Sequence, residues 1–139
     1  MKIIAVGKIK ESYIREGINE FIKRLGSFAK IEIIEIKDST KEKEGEKILE
    51  LTKSKQFIAL CIDGKQFSSE QFAGFVKKSE SQLTFVIGGP EGLSDEVLKA
   101  AHMYVSLSCM TFTHEMARLF LIEQLYRAFM IMNNRKYHK

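Results

Sequence analysis

Short runs of β-branched and other apolar residues alternate with amphipathic segments along the chain. Five of these runs predict buried strands, at residues 2–6, 31–36, 57–62, 83–87 and 104–107. Strands that alternate regularly with helices are typical of an α/β fold, in which a parallel sheet carries helices on both faces. The 139 residues are the length of one ordinary domain. We therefore expect a single α/β domain over residues 1–139.

Capping residues mark where the helices between the strands should begin. Ser12, Ser68 and Ser94 are the candidate N-caps of the first, third and fourth helices, and Ser39 or Thr40 can start the second. Ser68 is followed by Gln71, which is the spacing of a capping box. Gly26 is expected to end the first helix, whose apolar positions recur at helical spacing.

The last predicted helix, from Thr113 to about Met132, is more apolar than one face against a sheet requires. Its apolar residues are Met116, Leu119, Phe120, Leu121, Ile122, Leu125, Tyr126, Phe129, Met130 and Ile131. We expect this helix to be buried on two sides. A partner subunit in a twofold homodimer is the simplest cover for the second side. The alternative is a helix that lies wholly inside the core of one subunit.

A glycine-rich loop, Gly88-Gly-Pro-Glu-Gly92, follows the fourth predicted strand and precedes a helix. It lacks the Lys-Ser/Thr pair of a phosphate-binding P-loop, and Glu91 places a carboxylate where a phosphate would require positive charge. The loop therefore disfavours a pyrophosphate ligand and favours a neutral or cationic adenine-containing one, such as S-adenosylmethionine. A tight strand-to-helix turn that binds nothing is the alternative.

Two further strand ends carry residues suited to the same ligand. The fifth strand ends in the polar turn of residues 106–113, and Leu60 lies towards the end of the third. Ligands of open α/β sheets bind outside the carboxyl ends of the strands. These three strand ends could surround one adenosine with backbone amides and carbonyls.

Composition narrows the function classes only slightly. Lys and Arg number 22 against 18 Asp and Glu, a net charge of +4 that permits a polyanionic partner without requiring one. Cys61 and Cys109 lie in apolar surroundings and share no metal-ligand spacing with the three histidines, so we expect two buried, reduced thiols and no metal site. Residues 1–7 favour a first strand over a signal peptide, and residues 119–132 are too polar and too short for a membrane span. A cytoplasmic protein is expected.

Four segments in order along the chain together resemble one known family. They are Phe85-Val-Ile-Gly-Gly-Pro-Glu-Gly-Leu-Ser94, Leu107-Ser-Cys-Met-Thr-Phe-Thr-His114, Leu121-Ile-Glu-Gln-Leu-Tyr-Arg-Ala-Phe129 and Tyr137-His-Lys139. With the opening Met1-Lys-Ile and Val6-Gly-Lys8, the whole chain resembles the RlmH family, the large-subunit ribosomal RNA pseudouridine N3 methyltransferases of the SPOUT superfamily.

The resemblance implies a methyltransferase fold whose C-terminal segment forms a trefoil knot around S-adenosylmethionine. It also implies a homodimer that acts on ribosomal RNA, within the assembled ribosome. By position, the cofactor contacts would be Leu60, Gly88, Gly89, Leu107, Ser108, Cys109, Met110, Thr111, Phe112 and Thr113. The catalytic residues, near the base or the RNA backbone, would be His114, Arg127, Tyr137, His138 and Lys139.

This chain departs from the family pattern at three places. Thr113 stands where members commonly have proline, which gives a less rigid turn but adds a capping hydroxyl. Lys139 stands where some relatives have arginine, and it lacks the bidentate fork of a guanidinium. The segment between Ile36 and Lys47 is expected to be shorter than in relatives.

A mechanism for methyl transfer to a ring nitrogen requires positioning and the removal of one proton. Positive charge from Arg127 or Lys139 could stabilise the developing anion, while His114 or His138 accepts the proton. The basic tail of residues 133–139, with the ring of Tyr137, suits single-stranded or loop RNA. Two other functions stay open: a non-catalytic RNA-binding dimer of the same fold, and a nucleotide-phosphate enzyme that uses the glycine loop.

Overall fold

The structure, a computed structural model, describes residues 1–53, 55–79 and 82–139. It contains five strands: β1 (Lys2–Val6), β2 (Glu32–Ile36), β3 (Ile58–Gln66), β4 (Thr84–Ile87) and β5 (Met103–Ser106). The helices are α1 (Ser12–Leu25), α2 (Lys41–Thr52), α3 (Ser69–Lys78), α4 (Asp95–Ala100) and α5 (His114–Met132). Strand and helix alternate from β1 to α5, which confirms the predicted α/β class.

The five strands form one parallel sheet in the order β2-β1-β4-β3-β5. Successive residues of a strand point to opposite faces, and both faces of this sheet are apolar. Ile3 and Phe85 face α1, α3 and α5, whereas Ile4 and Val86 pack with α2 and α4 on the other face. The prediction of helices on both faces is confirmed.

Side-chain caps begin four of the five helices. Thr40, Ser68, Ser94 and Thr113 each accept a hydrogen bond from the backbone N–H three residues later. Ser68 and Gln71 form the predicted capping box. Ser39 is not the cap of α2, because its backbone N–H donates to the Glu44 carboxylate instead.

The prediction that Ser12 caps α1 is wrong. Ser12 is the first helical residue, and the N-cap position belongs to Glu11, whose side chain makes no capping hydrogen bond. The backbone N–H of Glu11 donates to the carboxylate of Glu115 on α5. This distant contact fixes where α1 begins, so a local capping pattern could not reveal it. Gly26 ends α1 as predicted.

Strand β3 is longer than predicted, because it continues past Ile62 to Gln66. Its pairing with β5 is regular as far as Leu60 and then shifts before it resumes at Lys65. At Gly64 the two strands approach so closely that a Cβ atom would lie 2.5 Å from the carbonyl carbon of Val105. Leu60 therefore stands where the regular part of β3 ends.

Helix α5 lies in the groove between α1 and α3, and it also contacts β4. Leu121, Ile122, Leu125 and Ala128 are fully buried there. The predicted burial on two sides is confirmed, and α1 and α3 of the same chain supply much of the cover. Within the described residues, no helix is both long and apolar enough to cross a membrane.

Candidate functional site

A cavity of about 960 Å³ opens at the carboxyl ends of β3, β4 and β5, which are neighbours in the sheet. The three strand ends singled out from the sequence therefore meet. Nine of the ten predicted cofactor residues line this cavity: Leu60, Gly88, Gly89, Leu107, Ser108, Met110, Thr111, Phe112 and Thr113. Cys109 is the exception, because it does not line the cavity and its Sγ accepts a hydrogen bond from Nε2 of Gln66 at 2.9 Å. The prediction of two buried thiols is wrong: Cys109 is exposed in the turn after β5, and Cys61 is half-buried where the regular part of β3 has ended.

The glycine loop forms one wall of the cavity and has little room for side chains. The N–H of Gly92 donates to the carbonyl of Gly89 at 2.9 Å, and Gly92 has φ +81°, a conformation that favours glycine. A Cβ atom on Gly88 would lie 2.7 Å from the carbonyl carbon of Gly92. This wall is therefore built from closely packed backbone.

The cavity has no basic side chain among its described lining residues apart from the imidazole of His114. Glu11, Glu91 and Glu115 are also among the lining residues. A phosphate group would normally require positive charge or a set of backbone N–H groups. The cavity is therefore suited to an uncharged or cationic ligand, as the loop sequence predicted.

Internal hydrogen bonds shape the turn that follows β5. Ser106 Oγ donates to the carbonyl of Ser108 at 2.9 Å, and the N–H of Met110 donates to Ser108 Oγ at 3.0 Å. The turn ends at Thr113, whose Oγ1 accepts the N–H of Met116 at 3.2 Å and begins α5. The turn thereby leaves the Met110 side chain 73% exposed at the cavity.

The remaining wall comes from the segment between β1 and α1, which sequence reasoning missed. Glu115 Oε1 accepts the N–H groups of Lys10 and Glu11 at 2.8 and 3.1 Å. Burial alone would raise the pKa of the Glu115 carboxyl, but the N–H groups of Glu11 and Lys10 outweigh that effect and the pKa is lowered. An acidic residue in a first helical turn is common, so no distinctive sequence signal pointed to this contact.

Arg127, Tyr137 and His138 lie together around a residue that sequence reasoning also missed, Glu123. Glu123 Oε1 accepts hydrogen bonds from Nη2 and Nε of Arg127 at 2.6 and 3.1 Å and from the Tyr137 hydroxyl at 3.0 Å. The Arg127 guanidinium lies 4.8 Å from the centre of the Tyr137 ring. We call Glu123, Arg127, Tyr137 and His138 the tail cluster. The spacing of Glu123 and Arg127, four residues apart on a helix, was the available sequence signal.

His138 joins the tail cluster to α3. Its Nδ1 lies 3.2 Å from Nη1 of Arg127, and its Nε2 lies 2.7 Å from Oε1 of Glu70. The hydrogen bond from His138 lowers the pKa of the Glu70 carboxyl. Burial, followed by the hydrogen bond to Glu123, raises the pKa of the Tyr137 hydroxyl, so this phenol is neutral near pH 7.

The predicted catalytic residues fall into two places within one chain. His114 lines the cavity at the start of α5, whereas Arg127 stands further along the same helix. At a rise of 1.5 Å per residue, the two positions are about 20 Å apart. Lys139 is exposed at the end of the tail. One chain therefore does not bring the tail cluster to the cavity.

A smaller cavity of about 370 Å³ lies between α3 and α5. It shares Ser106, Leu107 and Phe112 with the larger cavity, and Glu123 lies on its lining. The turn after β5 thus borders both cavities. The described residues contain no cluster of three or more His, Cys, Asp or Glu side chains that could hold a metal ion.

Comparison with known proteins agrees with this geometry. A family model described as "Predicted SPOUT methyltransferase" matches residues 1–138. Relatives named "Ribosomal RNA large subunit methyltransferase H" from Clostridioides difficile (strain 630) and Ligilactobacillus salivarius (strain UCC118) are 47% and 46% identical, over 100% of this chain and 99% of each relative. A solved structure of a probable methylase family protein from Haemophilus influenzae Rd KW20 has a TM-score of 0.59 at 16% identity. That match covers 99% of this chain and 70% of the other, and it shows a shared fold.

The two alignments with these relatives span 157 positions, whereas this chain has 139 residues. The relatives therefore contain residues that this chain lacks. This agrees with the expectation of a shortened segment. Its location between Ile36 and Lys47 stays a prediction.

Proposed function

The chain belongs to the SPOUT methyltransferase family, among the large-subunit ribosomal RNA methyltransferases H, and from this membership we propose a specific reaction. The protein transfers a methyl group from S-adenosylmethionine to N3 of a pseudouridine in large-subunit ribosomal RNA, in the cytoplasm and within the assembled ribosome. The observation that supports this best is the cavity at the ends of β3, β4 and β5. Its described lining residues include no lysine or arginine. A non-catalytic RNA-binding dimer is not favoured, because the full-length relatives are named methyltransferases.

The residues around the cavity fit S-adenosylmethionine, which combines an adenosine with a positive sulfonium and carries no phosphate. Leu60, Gly88, Gly89 and the turn of residues 107–113 would hold it through apolar side chains and exposed backbone. Glu11 and Glu91 give the cavity an acidic character that complements a cation. The same acidic character argues against a nucleotide-phosphate enzyme.

When bound, S-adenosylmethionine supplies the electrophilic methyl group, so the protein has to orient the acceptor base and take up its N3 proton. His114 is the proton acceptor that we favour, because it lines the cavity. In the tail cluster Arg127 donates to Nδ1 of His138, so that nitrogen carries the lone pair and Nε2–H donates to Glu70. His138 then has no free lone pair while the tail is docked in this way. Tyr137 is neutral and suits stacking on a base.

The two separate groups of catalytic residues favour a homodimer in which one subunit's tail completes the other subunit's cavity. Four large apolar side chains around the cavity are exposed in the single chain: Tyr13, Ile62, Met110 and Phe112. Exposed apolar patches of this kind are typical of protein interfaces. A partner packed there would cover them and could bring Arg127, Tyr137, His138 and Lys139 of its own chain to the acceptor base.

The C-terminal segment is also proposed to form a trefoil knot. Strand β5 lies beyond β3 at one edge of the sheet, and α5 returns from it to contact β4 and to pack between α1 and α3. Knots are rare in proteins, so family membership carries most of this proposal.

Calorimetry and mixed dimers test this proposal. S-adenosylmethionine should bind, and excess ATP should not displace it. Failure to bind, or displacement by ATP, would contradict the cofactor assignment.

Mixed dimers test the shared site. A His114→Ala chain and a chain ending at residue 136 should each be inactive alone. Mixing them should restore methyl transfer, because the truncated chain keeps its cavity and the His114→Ala chain supplies the tail. A mixture that forms mixed dimers but stays inactive would contradict the shared site.

A further inference from the structure

Two charged side chains of α5 are buried against the segment that joins β1 to α1. Glu115 is 8% exposed and Arg118 is 2% exposed. Glu115 Oε1 accepts the N–H groups of Lys10 and Glu11, as described above. Arg118 Nη2 donates to the carbonyl oxygen of Gly7 at 2.9 Å. Both side chains therefore bind the backbone of one short segment, residues 7–11, which we call the first loop.

Arg118 has one further partner at the edge of the sheet. Its Nη1 donates to Oε2 of Glu35 on β2 at 2.6 Å, while Nε has no hydrogen-bond partner among the described residues. A buried charge with an unpaired N–H is costly, and apolar residues would pack α5 against the sheet without that cost. The packing of α5 alone therefore does not account for the ion pair between Arg118 and Glu35.

The first loop reaches the cavity at Glu11, its last residue. Tyr13 and Ile14, at the start of α1, line the cavity directly after it. The ring of His114 lies against the loop, with Nε2 3.7 Å from the position that a Cβ on Gly7 would take. Gly7 itself has φ +85°, so its backbone conformation favours glycine. The placement of His114 and of this wall thus depends on the same few contacts.

We propose that Glu115 and Arg118 are positioning residues for methyl transfer, which fix the first loop as a wall of the cofactor cavity and hold His114 in place beside it. This inference rests on the function proposed above. Glu115 holds the loop at Lys10 and Glu11, and Arg118 holds it at Gly7. Neither side chain needs to touch the cofactor or the RNA.

Three substitutions separate positioning from simple stability. Glu115→Ala removes the oxygen that accepts both N–H groups, and loss of hydrogen bonds to a charged group should weaken S-adenosylmethionine binding about tenfold or more. Glu115→Gln keeps an oxygen at the same reach and should stay within about threefold of wild type, since a neutral acceptor replaces only part of each bond. Arg118→Lys keeps the charge but cannot contact Gly7 and Glu35 together, so kcat should fall further than affinity because His114 loses its support.

The experiment measures cofactor affinity by calorimetry and kcat and KM on ribosomal substrate, at a temperature where circular dichroism shows each variant folded. Glu46→Ala, an exposed change on α2, is the control and should match wild type. Folded Glu115→Ala with wild-type affinity and kcat would overturn the inference. Wild type that binds no S-adenosylmethionine would instead overturn the proposed function and this inference with it.

Hydrogen exchange on the unmodified protein covers the case in which Glu115→Ala does not fold. The amides of Lys10 and Glu11 should exchange slowly, and S-adenosylmethionine should slow them further while leaving the exposed amides of α2 unchanged. Fast exchange at Lys10 and Glu11, or no change on binding, would overturn the inference.

Discussion

The carboxylate of Glu123 on α5 binds both Arg127 of the same helix and Tyr137 of the tail, so one side chain connects the helix to the tail. Arg127 is one turn further along α5, and Tyr137 belongs to the segment that follows the helix. Two of the five residues that the family resemblance places near the substrate thus share one acidic partner.

Glu123→Ala should lower kcat for methyl transfer by about tenfold or more, because a partly buried, charge-assisted network loses its acceptor. Affinity for S-adenosylmethionine should stay within about twofold, since Glu123 does not line the larger cavity. Steady-state kinetics and calorimetry check both values. Glu50→Ala, which breaks the exposed pair with Lys47 on α2, is the matched control. Equal loss in the two variants would contradict a role for Glu123 in the site.

Gly88→Ala should abolish or strongly weaken S-adenosylmethionine binding. The new Cβ would lie 2.7 Å from the backbone of Gly92, so the glycine loop would have to shift. Gly74→Ala on α3 is the matched control, because a Cβ there has nothing within 4 Å and alanine favours the helix by about 0.5–1 kcal/mol. Calorimetry on both variants checks the prediction. Normal binding by Gly88→Ala would mean that the loop is not a wall of the cofactor site.

Thr113→Ala should lower the free energy of unfolding by about 1 kcal/mol, because α5 loses its N-terminal cap. Thr113 Oγ1 accepts the N–H of Met116, and serine at this position can do the same. Thr113→Ser should therefore stay close to wild type. Urea unfolding of the three proteins measures the differences. A Thr113→Ser variant as unstable as Thr113→Ala would show that the hydroxyl is not the stabilising group.

Glu115 should make stability depend on pH in the acidic range. Its pKa in the folded chain lies below the ordinary value of 4.5, so its stabilising effect is complete above that value. The effect is lost as pH falls through the lower folded pKa, because the carboxyl becomes protonated. The stability difference between wild type and Glu115→Gln should therefore shrink as the pH falls below about 4.5. Urea unfolding across that range tests it, and a difference that grows towards acid would contradict it.

Local patterns predicted most of the fold. Apolar runs located all five strands, and hydroxyl caps located the starts of α2, α3, α4 and α5. The two errors have a common cause. Glu11 rather than Ser12 is the N-cap of α1, with its N–H bonded to Glu115, and β3 extends through a close approach to β5 at Gly64. Both features depend on contacts between segments far apart in the sequence.

The candidate site was predictable only in part. The carboxyl ends of parallel strands lie along one edge of a sheet, so a pocket formed by Leu60, Gly88 and the turn after β5 could be predicted as possible. That the three meet depends on β4, β3 and β5 being neighbours, and the sequence did not show this strand order. The partners Glu70 and Glu123 could not be predicted, because the tail reaches them only after the chain has folded. The separation of Arg127 from the cavity likewise depends on where α5 lies.

The transfer of a labelled methyl group tests the central claim most directly. The protein is incubated with labelled S-adenosylmethionine and either assembled ribosomes or free large-subunit ribosomal RNA that lacks the modification, and the labelled nucleoside is then identified. A chain ending at residue 136 is run beside it and should bind the cofactor but transfer no label. We predict one labelled nucleoside, N3-methylpseudouridine, on assembled ribosomes. No transfer to either substrate, or label on a different base, would contradict the account.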